Sequence, residues 1–127
     1  MSWQAYIDQS LVGSGNVDLG LICDINDQTI WASSDGFSLS PEELKAIAES
    51  FKDPSKVQEA GIKINGEKYM YVRSDDDSLT AKKGKEGLVA HKTEKAIVVA
   101  HHDSETQTTN AFSTVAELAD YLKGVGY

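Results

Sequence analysis

This 127-residue sequence has one cysteine, two prolines and no long hydrophobic run. The lone cysteine, Cys23, excludes an internal disulfide framework and is typical of a reducing compartment. No apolar run approaches the roughly 18 residues that a membrane-spanning helix needs, and the opening residues lack the basic and apolar pattern of a secretory signal. We therefore expect a single domain over residues 1–127, located in the cytoplasm.

An excess of positive charge is also missing, because the formal net charge is −8. An acidic chain is a poor ligand for the phosphates of nucleic acids, so we predict no nucleic-acid partner. The charge is uneven, however, since residues 82–95 hold five lysines against two glutamates. This basic segment is either a solvated face or a docking surface for an acidic partner.

Catalytic and metal-binding motifs are missing as well. No G-x-S-x-G occurs, and Cys23 lies among apolar neighbours, where a thiol usually behaves as a small hydrophobic side chain. His91 and His101 are predicted at opposite ends of one hairpin that turns at Thr93-Glu94, too far apart to share a metal. We therefore predict a protein that is not an enzyme and that has no metal or cofactor.

What the sequence does contain is a regular alternation of apolar and polar residues, interrupted by turn residues such as Asn65-Gly66. This pattern is typical of half-buried strands joined in hairpins, and it predicts an antiparallel sheet. The expected strands number about six and cover residues 19–25, 28–33, 61–64, 67–73, 87–92 and 95–101.

Three helices are predicted beside this sheet. The first covers Ser2–Leu11, with the Ser2 hydroxyl as its N-cap. The second begins at a capping box at residues 40–43 (S-P-E-E) and continues to Phe51. The third is predicted to begin at another capping box, Thr114–Glu117, and to end at Gly124. Strands in hairpins flanked by separate helices predict an α+β fold.

Aromatic residues occupy unusual places on these elements. At about 100° per residue, Trp3 and Tyr6 lie along one border of the first helix's apolar stripe, whereas the aliphatic residues lie along the other. On the helix alone, ordinary packing of the two aromatics is the more frequent outcome. Trp31 is also open to two interpretations, because it points away from its neighbour Ile30, either into plain core or toward the first helix.

The last helix has a second aromatic border, with Tyr121 just off its apolar stripe and Tyr127 beyond its end. If both helices lie side by side on one sheet face, five rings converge: Trp3, Tyr6, Trp31, Tyr121 and Tyr127. A polyproline II helix exposes pyrrolidine rings and carbonyls, so flat rings with indole N–H and phenol O–H donors suit it as a receptor. The set therefore predicts a binding site for proline-rich segments.

Several of these stretches resemble the profilins, a family of small proteins that bind actin monomers. The resemblance is carried by S-W-Q-A-Y-I-D at the start, T-I-W-A around Trp31, K-K-G at residues 82–84 and A-D-Y-L-K-G-V-G-Y at the end. It runs from residue 2 to residue 127. It implies an α/β/α sandwich, in which the N- and C-terminal helices share one face of the central antiparallel sheet and shorter helices cover the other.

The resemblance also implies a function for each group of residues. The five aromatic residues would form the site for proline-rich partners, such as formin-type elongation factors. A sheet edge near the start of the last helix would face actin, through Lys63, Arg73, Lys82 and Lys83. The implied protein is a cytoplasmic, cytoskeletal monomer that regulates actin polymerisation.

Phosphoinositide binding is a further implied activity, through Arg73, Lys82, Lys83 and Lys85. We expect it to be weak, because three aspartates closely follow Arg73 and each basic residue near an anionic membrane contributes only about 1 kcal/mol. Thr80-Ala81 also stand where relatives often carry an aromatic residue and glycine. The alternative function is a peripheral phosphoinositide-binding module that uses residues 82–95 and lacks actin activity.

Overall fold

A computed structural model of the protein describes residues 2–37 and 39–127, and in it seven strands form one antiparallel sheet. The strands are β1 (Leu19–Asp24), β2 (Ile30–Ser33), β3 (Ile62–Ile64), β4 (Glu67–Ser74), β5 (Ser78–Lys83), β6 (Glu86–Lys92) and β7 (Ala96–His102). Their order across the sheet is β2-β1-β7-β6-β5-β4-β3. The edges of the sheet are therefore β2 and β3.

The strand count corrects the prediction of about six, because β5 was not expected. Its sequence, S-L-T-A-K-K, follows three aspartates and leads into a lysine-rich turn, so it resembles a polar loop. In the sheet it lies between β4 and β6, and Leu79, Thr80 and Ala81 are all buried. Burial on both faces removes the alternation by which a half-buried strand is recognised.

Helices cover both faces of the sheet, as predicted. On one face, called here the α2 face, α2 (Pro41–Ser50) and α3 (Ser55–Ala60) cover a core that includes Leu44, Ile47 and Val57. On the other, the α4 face, α4 (Thr108–Gly124) and an N-terminal helical segment cover a second core. The α+β sandwich is therefore confirmed.

The N-terminal helical segment is not the single α-helix that was predicted. It consists of α1 (Trp3–Ala5), a π-helix (Tyr6–Leu11) and a 3₁₀ turn (Val12–Ser14). The Ser2 hydroxyl caps it by accepting a hydrogen bond from the Ala5 N–H at 3.2 Å, as expected for an N-cap. Widened π turns are rare and occur often at functional sites.

The capping box of α2 is confirmed, and its glutamate also bonds to a neighbouring hairpin. Ser40 and Glu43 exchange hydrogen bonds of 2.9 and 3.2 Å between side chain and main chain. The second carboxylate oxygen of Glu43 accepts the N–H of Gly66, at 2.9 Å, in the turn between β3 and β4. One buried carboxylate thereby ties the start of α2 to an edge hairpin.

The predicted start of the last helix is wrong by seven residues. Helix α4 begins at Thr108, and the expected cap residue Thr114 lies inside it, buried, with its hydroxyl accepting a hydrogen bond from the Asn16 amide at 3.0 Å. The apolar stripe extends back to Ala111, which is buried with Val115 in the core of the α4 face. Among the described residues, no helix combines the length and apolar character needed to cross a membrane.

The hairpin of β6 and β7 has a longer connection than the two-residue turn that was predicted. The Thr93 N–H donates to the Ala96 carbonyl, so the turn spans residues 93–96. His91 consequently pairs with Val98, which belongs to the core on the α4 face. His101 pairs with Leu88, which belongs to the core on the α2 face. Because cross-strand partners share a face, the two histidines lie on opposite sides of the sheet.

Candidate functional site

The five predicted aromatic residues do converge, on the border of the α4 face. We call Trp3, Tyr6, Trp31, Tyr121 and Tyr127 the aromatic platform. Its centre is Trp3, whose ring centroid lies 4.7 Å from that of Trp31 on the edge strand β2 and 4.9 Å from that of Tyr127. The Tyr127 ring meets Trp3 edge-on, a geometry that aromatic pairs favour.

Tyr6 and Tyr121 extend the platform across the gap between the N-terminal helical segment and α4. Tyr6 lies 5.6 Å from Trp3 and 6.0 Å from Tyr121, measured between ring centroids. Hydrogen bonding toward Tyr121, followed by partial burial, raises the pKa of Tyr6 above its ordinary value. A phenol is protonated at neutral pH even at its ordinary pKa of about 10, so Tyr6 can donate a hydrogen bond to a carbonyl of a ligand.

The platform is exposed enough to bind a ligand. Tyr121 and Tyr127 are 53% and 40% exposed, whereas Trp3, Tyr6 and Trp31 are half-buried. The aliphatic residues of the same helical segment, Ile7 and Leu11, are fully buried beneath them. The sequence predicted this division between an aliphatic anchor and an aromatic border.

The position of Tyr127 depends on two residues that the sequence did not single out. Its main-chain oxygen accepts hydrogen bonds from the Lys95 N–H and the Thr93 hydroxyl, each 2.6 Å long. Its own N–H donates to the Leu122 carbonyl at 2.8 Å, and the Lys95 ammonium lies 5.6 Å from its ring centroid. No local sequence signal marks the contacts with Thr93 and Lys95, because each lies more than 30 positions from Tyr127.

Of the four residues predicted to face actin, Lys63, Arg73 and Lys82 share the α4 face of the sheet edge. They lie on β3, β4 and β5, where α4 no longer covers the strands. Arg73 stacks on Phe112 of α4, with its guanidinium carbon 4.9 Å from the ring centroid. The side chain of Met70 is 59% exposed beside them, so the surface is basic with an apolar part.

Lys83 does not join these three residues, because it points toward the α2 face. It follows Lys82 in β5, and successive side chains of a strand alternate between faces. Its ammonium lies 2.7 Å from a Glu67 carboxylate oxygen, and this hydrogen bond raises the pKa of Lys83. Lys85 is exposed in the turn between β5 and β6. The predicted basic residues therefore form two surfaces.

Among residues 2–37 and 39–127, the side chains that could carry other chemistry do not assemble into a reactive site. On the α2 face, His101 contacts the carboxylates of Asp18, at 2.6 Å, and Glu86, at 3.4 Å. Burial raises the pKa of the Cys23 thiol to about 12, which leaves it unreactive. In the part of the chain that the structure describes, no group of three or more His, Cys, Asp or Glu side chains could hold a metal ion.

Comparison with known proteins gives a consistent result. The family model for profilin matches residues 1–127. The chain is 41% identical over 127 residues to the profilin of Schizosaccharomyces pombe, and both chains are covered completely. The crystal structure of Acanthamoeba castellanii profilin II superposes with a TM-score of 0.95 at 40% identity, covering 99% of this chain and 100% of that chain.

A more distant structure shares the fold. Mouse profilin IIa, in complex with a double repeat from the FH1 domain of mDia1, has a TM-score of 0.84 at 20% identity. That superposition covers both chains completely.

Proposed function

Because this chain belongs to the profilin family, we propose that it binds actin monomers and docks on proline-rich segments through its aromatic platform. Profilins are actin-binding regulatory proteins and not enzymes, in agreement with the prediction from the sequence. The observation that carries the peptide-binding proposal is the convergence of five rings from two helices, a strand and the last residue on one exposed border. We place this activity in the cytoplasm, on the actin cytoskeleton, in a single-domain monomer.

The partner class follows from the chemistry of the platform. A polyproline II helix has about three residues per turn and loses little entropy when it binds. Flat rings suit its pyrrolidines, and the Tyr and Trp donors suit its carbonyls. The mouse profilin IIa complex with an FH1 repeat supports formin-type proteins as partners of this chain.

Tryptophan fluorescence tests the peptide-binding site directly, because both tryptophans belong to the platform. Titration with a proline oligomer should change the emission and saturate. The Tyr121→Ala variant keeps both tryptophans and should lower the affinity by at least about tenfold, as expected for an aromatic hot spot. Tyr71→Ala, on the α2 face, is the matched control. The proposed site is wrong if the emission does not change when the oligomer is added, or if Tyr121→Ala and the wild type bind the oligomer with equal affinity.

For actin, we propose the surface formed by Lys63, Arg73 and Lys82 around Phe112. It combines basic side chains with exposed apolar ones, which suits an acidic partner surface. Arg73→Glu should weaken the protein's inhibition of spontaneous actin polymerisation. Lys83→Glu should weaken it less, because Lys83 faces the other way and is paired with Glu67. If Arg73→Glu inhibits actin polymerisation at the same concentration as the wild-type protein, the proposed surface is wrong.

Weak phosphoinositide binding is a second proposal, based on Arg73, Lys82, Lys83 and Lys85. These residues are divided between two faces, Lys83 is already paired, and the chain is acidic, so few charges can reach one membrane together. Cosedimentation with vesicles containing bisphosphorylated phosphoinositide should retain a small fraction at low salt and almost none at physiological salt. Full retention at physiological salt would favour the lipid-binding module over the actin-binding protein.

A further inference from the structure

The two ends of the aromatic platform differ in charge. At one end, Tyr6 and Tyr121 line a cleft together with Ser10, Thr114, Glu117 and Leu118. Among the described residues that line this cleft, Glu117 is the one with a charged side chain. Glu117 is exposed and has no salt-bridge partner in residues 2–37 and 39–127. At the other end, the Lys95 ammonium lies 5.6 Å from the Tyr127 ring centroid.

Two other charged residues of the same helices have partners of their own. Asp8 accepts a hydrogen bond from the Gln4 amide at 3.2 Å. Lys123, on α4, lies 3.9 Å from an Asp77 carboxylate oxygen, away from the rings. Glu117, in the cleft of Tyr6 and Tyr121, and Lys95, beside the Tyr127 ring, are charges that lie directly against rings of the platform.

The length of the platform sets where a ligand reaches these charges. Centroid distances of 4.7, 5.6 and 6.0 Å lead from Trp31 through Trp3 and Tyr6 to Tyr121. The row is therefore no longer than about 16 Å, which polyproline II covers with about five residues at 3.1 Å each. The row ends at Tyr121, whose cleft Glu117 lines, and at Trp31, whose ring centroid lies 6.3 Å from that of Tyr127, the ring beside Lys95. A side chain next to such a proline run therefore comes near one of these two charges.

We infer that the platform selects the direction of its ligand by charge: the proline-rich partner carries a basic side chain beside its proline run, and this side chain pairs with Glu117. The opposite end of the run, beside Lys95, carries an acidic or neutral residue. Both pairs form at the surface, so each one changes the affinity modestly and more strongly at low salt. This inference rests on the proposed peptide-binding function.

Two peptides with blocked ends test the inference. Each has a run of six prolines, with arginine before and glutamate after the run in one peptide, and glutamate at both ends of the run in the other. A neutral peptide with prolines only is the reference. Tryptophan fluorescence at about 20 mM salt should give affinities that differ by about threefold to tenfold between the two charged peptides, and the difference should shrink at high salt.

Variants assign the difference to particular residues. Glu117→Gln should remove most of it, whereas Glu59→Gln, on α3 at the α2 face, should keep it in full. Equal affinities of the two charged peptides for the wild type, or an unchanged difference in Glu117→Gln, would overturn the inference while the neutral peptide still binds. If the neutral peptide also fails to bind, the proposed peptide-binding function is overturned as well.

Discussion

Replacing Leu11 with alanine should lower the unfolding free energy of the protein by about 3 kcal/mol. Leu11 is fully buried in the core of the α4 face, and its Cδ1 lies 2.8 Å from the point where a Cβ atom on Gly20 would stand. The side chain therefore packs directly on the backbone of β1. Alanine would leave a cavity, and a close-packed sheet can close it only in part.

The magnitude can be measured as a change in melting temperature. With an unfolding entropy of about 2.1 cal/mol/K per residue, a loss of 3 kcal/mol in a chain of 127 residues lowers the Tm by about 10 °C. Far-UV circular dichroism is the suitable probe of this transition, because it follows the whole fold, whereas tryptophan emission reports on the platform. A fall of less than about 3 °C would refute the view that Leu11 anchors the N-terminal helical segment to the sheet.

Tyr121→Ala is the matched comparison for this experiment. Its ring is 53% exposed and lies on the platform, so its loss should leave the Tm within about 2 °C of the wild type and should weaken peptide binding. If the two variants lost the same stability, the division between aliphatic anchor and aromatic border would be wrong.

Two further predictions concern the α4 face. In Gly87→Ala, the added Cβ would overlap the imidazole of His102, which is held in place by a 2.9 Å hydrogen bond between its Nε2 and the Thr108 hydroxyl. Urea unfolding should therefore show an unfolding free energy lower by about 2 kcal/mol. Gly124→Ala, with open space around the new methyl group, is the control and should not destabilise the protein. His91 is buried, its Nε2 has no hydrogen-bond partner among the described residues, and burial lowers its pKa below the unfolded value of about 6.5. The unfolded chain then binds the proton more tightly, so stability should be full above pH 6.5 and fall as the pH drops below it. As the pH is lowered from about 7.5 to 5.5, the urea midpoint should decrease in the wild type and should decrease less in His91→Leu. An equal decrease in the two proteins would show that His91 does not cause the pH dependence.

Part of the aromatic platform was predictable from two simple periodicities. A helical repeat places Trp3 and Tyr6 on one border, and strand alternation turns Trp31 away from Ile30. That the two helices share one sheet face was implied by the family resemblance, because an aliphatic stripe can be buried on either face of a sheet. What could not be predicted is the contact of Tyr127 with Lys95, which depends on the conformation of the turn between β6 and β7.

The basic residues were harder to place, because their positions depend on a strand that was missed. The family resemblance assigned Lys82 and Lys83 to one surface, and without β5 the alternation of side chains along a strand could not be used to test that assignment. With β5 in place between β4 and β6, alternation alone separates them. One unrecognised strand therefore changed the predicted site more than it changed the predicted fold.

The start of α4 shows a different limit of sequence reasoning. Thr114–Glu117 has the composition of a capping box, and the true first turn has no side-chain cap hydrogen bond at Gln107. Composition indicates that a cap is possible, but tertiary packing decides where the helix begins. Here the burial of Ala111 against the sheet extends the helix by seven residues.

The short distance between Trp3 and Tyr127 has a practical consequence for handling the protein. Their ring centroids are 4.9 Å apart, so an affinity tag or fluorescent fusion at either end of the described chain would leave from the rim of the peptide surface. A circular permutant avoids this conflict, because a short linker can join neighbouring ends. New ends opened in the connection at residues 52–54, on the opposite side of the sheet, would carry the label and leave all five rings free.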